Sequence, residues 1–85
     1  MLKLKINLNN AYGEDEPITT DTLNEFDAHL KKANINFTRK GRVITYTGTE
    51  AQLLEAAFQE YQFFCGGGPS FSEEEALDYI RECAT

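Results

Sequence analysis

Eighty-five residues, 41% of them apolar and including six Phe and four Tyr, suffice for one compact core and leave no room for a second domain. With two cysteines and one histidine, neither a disulfide scaffold nor a Cys/His metal site is expected, and no cofactor is implied. The net charge of −6 is sorted by position: residues 1–48 carry about +1, while residues 49–85 carry eight acids against the single base Arg81, a field that disfavours direct nucleic-acid binding.

The opening stretch from Met1 to Leu8 is too short and too charged for a signal peptide or membrane span, so a cytoplasmic protein without membrane association is expected. Leu2, Leu4, Ile6 and Leu8 alternate with Lys3, Lys5 and Asn7, the period-two pattern of a half-buried strand over residues 2–8. Residues 9–19, rich in turn formers and acids and containing Gly13 and Pro17, read as an exposed connection.

A helix is predicted near residues 21–33. Thr20 or Asp21 caps it, and Leu23, Phe26, Leu30 and Ala33 form one apolar stripe. Lys31 and Lys32 sit in the last turn, where cations suit the helix dipole, and Asn34 is suited to a left-handed stop. Ile35 to Tyr46 then reads as a β-hairpin. A turn at Lys40-Gly41 would set Phe37 opposite Ile44 and put Ile35, Phe37, Ile44 and Tyr46 on one face. The strand over 42–47 has the strongest sheet formers and is placed at the centre, with strand one beside it.

Thr49 followed by Gln52 is a capping box opening a helix over about 50–64. Its apolar residues, Leu53, Leu54, Ala57, Phe58, Tyr61 and Phe64, cover a face wider than one sheet contact requires, as expected if a further helix packs on it. Cys65-Gly66-Gly67-Gly68-Pro69 breaks it. Ser72 and Glu75 form a second capping box for a helix over about 73–83 that presents Ala76, Leu77, Ile80 and Cys83. Cys65 and Cys83 at opposite ends of this last helix would lie beyond disulfide reach, so two reduced thiols are expected. The fold expected is a single α+β domain over residues 1–85. It has a three-stranded antiparallel sheet with helices packed on one face, in the order β-α-β-β-α-α.

No residue set in this chain names a reaction. His29 lies on the polar side of its helix without a nucleophile partner, and the glycine run lacks the Lys-Ser/Thr ending of a phosphate loop. The basic residues Lys3, Lys5, Arg39, Lys40 and Arg42 are assigned to the outer sheet face and hairpin tip, where the aromatics that stack bases are missing. No enzyme is therefore expected. The acids of the C-terminal half exceed what helix capping needs, and Glu55, Glu60, Glu74 and Asp78 are placed on exposed helix faces as the partner-binding set. Tyr61, Phe63, Phe64 and Phe71 are the alternative, an apolar patch able to anchor a protein partner.

In general character only, an acidic α+β domain of this size without a catalytic set resembles the small inhibitors encoded by phages and mobile elements. That resemblance, which rests on no motif, implies a host nuclease or CRISPR-type defence complex as target, in some cases through DNA mimicry, and a host cytoplasmic location. The expectation is an acidic inhibitor or adaptor for a protein with a basic surface. The alternative is a regulatory module that homodimerises through a sheet edge or the aromatic patch.

Overall fold

A computed structural model of the chain describes residues 1–13, 17–66 and 72–84. The elements are β1 (Leu2–Asn7), α1 (Leu8–Tyr12), α2 (Thr20–Lys32), β2 (Phe37–Lys40), β3 (Val43–Gly48), α3 (Glu50–Cys65) and α4 (Glu73–Cys83). The strands form one antiparallel sheet in the order β1-β3-β2, with the strongest sheet formers at its centre. The expected α+β order holds, with one short helix added after β1.

That helix corrects the reading of residues 9–19 as connection from their first residue. Asn7 ends the strand and caps α1, its Oδ1 accepting from the backbone N–H of Asn9 at 3.1 Å and Asn10 at 3.2 Å. Leu8 leaves the strand, donates its N–H to the Arg42 carbonyl at 2.7 Å and is fully buried. A single turn is too short for periodicity to reveal, and an Asn-Asn pair reads as a turn when taken alone.

The hairpin forms one step further along than expected. Lys40 pairs with Val43 and Phe37 with Tyr46, so the two-residue turn is Gly41-Arg42. Gly41 has φ +59° and takes the first central position, where a II′ turn calls for glycine. The partner of each residue moves by two, so the faces are preserved. Ile44 and Tyr46 are buried, with Phe37 and Ile35 packed beside them. The same register puts Arg39 opposite Ile44, on the helix-covered face and not the outer one. There its guanidinium grips the Asp27 carboxylate of α2 through two bonds, Nε at 2.8 Å and Nη2 at 2.7 Å. Arg42 stays exposed at the hairpin tip, where its guanidinium donates twice to the Ile18 carbonyl at 3.1 and 2.7 Å and ties the chain before α2 to the hairpin. Lys3, Lys5 and Lys40 remain exposed.

The helices obey their caps. Thr19, one residue before the expected pair, caps α2, and Asn34 takes the left-handed conformation at φ 60°. Both capping boxes form, Thr49 with Gln52 and Ser72 with Glu75. α3 lies against β3 and contacts α2, α4 and β1 as well, which accounts for its wide apolar face. The core joins Leu4 and Leu8 to Leu23, Phe26 and Leu30 of α2, Ile44 and Tyr46 of β3, Leu53 and Ala56 of α3, and Ile80 of α4. Cys65 and Cys83 end α3 and α4, and both are free and exposed. No helix among the described residues is long and apolar enough to cross a membrane.

Candidate functional site

Glu60 is 4% exposed and is the buried charged residue of the core among the described residues, which overturns its placement on an exposed helix face. Helical spacing carries the signal: Glu60 is seven residues from Leu53 and four from Ala56, both buried, so it continues the inward stripe of α3. A carboxyl group there needs partners, and two tyrosines supply them. The Tyr46 hydroxyl donates to Glu60 Oε1 at 2.6 Å and the Tyr12 hydroxyl donates to Oε2 at 2.7 Å. Among the described residues no cation pairs with it.

The electrostatics follow from that burial. Desolvation pushes the Glu60 carboxyl above its ordinary value, and the hydroxyls of Tyr46 and Tyr12 pull in the opposite direction by supporting the ionised form. Both tyrosines are held well above the usual phenol range, first by burial and then by the negative charge beside them. They therefore act as neutral donors.

The triad is not sealed. Glu60 and Tyr12 line an open cavity of about 330 Å³ between α1, α3, α4 and β1. Its apolar wall comprises Ile6, Ala11, Ala57 and Ala76, and its polar lining adds Tyr61, Glu75 and Tyr79. Tyr79 is 48% exposed, the most exposed aromatic side chain among the described residues. Glu75 is turned back toward its helix cap, accepting from the Ser72 N–H and hydroxyl through Oε1. The short helix missed from the sequence is what delivers Tyr12 to this site.

The remaining sequence-derived candidates divide. Glu55, Glu74 and Asp78 are exposed as expected. Glu55 accepts from the Gln59 amide at 2.9 Å, and Asp78 lies 3.9 Å from Arg81, whose guanidinium is closer to Glu50 at 2.9 Å. Tyr61 is half-buried in the cavity wall. Phe63 and Phe64 do not form a free patch. Phe64 stacks on Tyr12 at 4.5 Å between ring centroids, and both phenylalanines pack against Phe26 of α2 at 5.1 and 4.8 Å. Their adjacency is resolved by an edge-on contact between the two rings. Phe71 lies outside the described residues. His29 is engaged as well, its Nε2 sitting 2.9 Å from Gln59 Oε1 with its ring beside Phe63.

Among the described residues no three His, Cys, Asp or Glu side chains converge as a metal site. Comparison with known protein families, curated proteins and solved structures finds no match to this chain.

Proposed function

We propose that this protein is a non-catalytic binding module, an acidic inhibitor or adaptor that engages a protein with a basic, nucleic-acid-handling surface. The observation that carries the reading is the surface of α4 and its approach. Glu73, Glu74, Glu75, Asp78 and Glu82 are all exposed on one eleven-residue helix. Arg81 is the sole base of that helix and is drawn toward Glu50 on α3. Capping and the helix dipole account for the first-turn glutamates but not for Asp78 and Glu82 further along. A one-signed face of this kind raises association rates with a basic groove and, where charges meet closely, adds affinity. The alternative anchor is weakened because Phe63 and Phe64 are already used in internal ring packing.

The test is a titration of a partner captured from the source cell against the native chain and a Glu74→Lys/Asp78→Lys variant, at low and moderate salt. Binding should weaken by about 1–3 kcal/mol in the variant, and the difference should shrink as salt rises. Duplex DNA should compete for the same partner surface if the carboxylates stand in for phosphates. Equal binding by both proteins at both salts would reduce the acidic face to a solubility device.

A further inference from the structure

We infer that the cavity between α1, α3 and α4 is a recognition pocket for an alkylammonium group, the side chain of a lysine presented by the basic partner. This deepens the reading above and rests on it for the source of the lysine.

Three features of the cavity converge on that ligand. Its volume of about 330 Å³ exceeds that of one long side chain. Ala57 and Ala76 give part of its wall an apolar surface suited to a four-carbon stem. Tyr12, Tyr61 and Tyr79 line the same space from three different helices; one face of the Tyr12 ring is stacked on Phe64, and an ammonium entering the cavity comes within reach of aromatic rings that attract cations. Glu60 also lines it while being 4% exposed. The lining thus includes a nearly buried acid that pairs with no cation among the described residues.

The hydrogen bonding at Glu60 selects between cations. Each carboxylate oxygen already accepts one tyrosine hydroxyl, Oε1 from Tyr46 and Oε2 from Tyr12. A guanidinium fork needs both oxygens in one plane at once, whereas a compact ammonium needs only one remaining lone pair. Tyr12 of α1 and Tyr46 of β3 hold Glu60, and Tyr61 of α3 with Glu75 and Tyr79 of α4 share the cavity lining. None is a base, so an entering ammonium meets no repulsion. It also supplies the counter-charge that burial denies the ionised carboxyl.

The experiment uses the full chain and small probes that carry no partner surface, so its failure sinks the pocket while leaving the partner titration to judge the wider reading. n-Butylammonium, n-butanol and n-propylguanidinium are titrated separately at constant ionic strength and followed by amide and methyl NMR. n-Butylammonium should shift the Ala57, Ala76 and Tyr79 signals saturably and bind at least about fivefold better than n-butanol. Tyr79→Ala, a change at a half-exposed side chain that spares the core, should weaken it by about two- to fivefold. Glu60→Gln, which keeps shape but removes the charge, should weaken it by about tenfold. Equal binding of n-butanol would make the pocket merely apolar and overturn the proposal. So would unchanged affinity in Tyr79→Ala, or tighter binding of n-propylguanidinium than of n-butylammonium.

Discussion

Removing the Tyr46 hydroxyl tests the buried triad most directly. Tyr46 is completely buried and its hydroxyl lies 2.6 Å from Glu60 Oε1, so Tyr46→Phe deletes the tyrosine donor that this oxygen accepts. A hydrogen bond to a charged group contributes about 1.5–3 kcal/mol, a large part of the few kcal/mol available to a domain of this size. Tyr12→Phe should cost less, about 0.5–1.5 kcal/mol, because Tyr12 also lines the open cavity and water entering there can serve Oε2. The two losses should not add, since both hydroxyls serve one carboxylate. The pH dependence has a definite sign. Burial raises the Glu60 carboxyl above its ordinary 4.5, so the folded chain keeps that proton to higher pH than the unfolded chain. The associated stability is complete below the ordinary carboxylate range and is lost as pH rises through the folded value. The tyrosine hydroxyl favours the ionised form, so the penalty of Tyr46→Phe should grow across that window. Glu60→Gln, neutral throughout, should flatten the slope. Urea unfolding between about pH 4 and pH 8, followed by helix circular dichroism and tyrosine fluorescence in a chain without Trp, measures the native chain, the three single variants and the Tyr12→Phe/Tyr46→Phe double variant. A loss under about 0.5 kcal/mol for Tyr46→Phe, or a penalty that shrinks as pH rises, would refute the reasoning.

Asp27→Ala should cost about 1–2 kcal/mol in urea unfolding, because its two-pronged contact with Arg39 leaves those side chains only 22% and 15% exposed; a neutral result would make the pair ornamental. Thr49→Ala removes a reciprocal capping box and should cost about 1 kcal/mol, whereas Thr49→Asn should recover most of it. Cys65 and Cys83 are exposed at two different helix ends, so iodoacetamide should modify both in the folded protein, and mass spectrometry showing either one protected would contradict that placement. Glu74→Lys/Asp78→Lys should lower the unfolding free energy by no more than about 1 kcal/mol, since neither side chain supports the core and the loss is that of one first-turn acid.

Most of the secondary structure was legible in the chain because it is written in local terms. Alternation marked β1 and the hairpin, Thr49-Gln52 and Ser72-Glu75 marked two helix starts, and Asn34 marked a helix end. Each rests on interactions spanning at most four residues, or on a repeat that one face must bury. Even the one-step slide of the hairpin kept its faces, because the pairing moved by two and side chains alternate with period two. Glu60 also leaves a trace, at helical spacing from Leu53 and Ala56, but a glutamate on a helix ordinarily marks a solvated face. Tertiary structure alone decided that this burial is tolerable. The two hydroxyls that satisfy Glu60 come from residues 48 and 14 positions away, one of them on a five-residue helix too short to stand without the core beneath it. Arg39 shares the alternation of Ile35 and Phe37, so its face was legible in the chain, whereas its partner Asp27, 12 residues away on another element, was not. The cavity, its buried carboxyl and its tyrosine walls exist only where α1, α3 and α4 meet. A buried polar group is viable only when folding brings its partners to it, and no local pattern records which distant residues those will be.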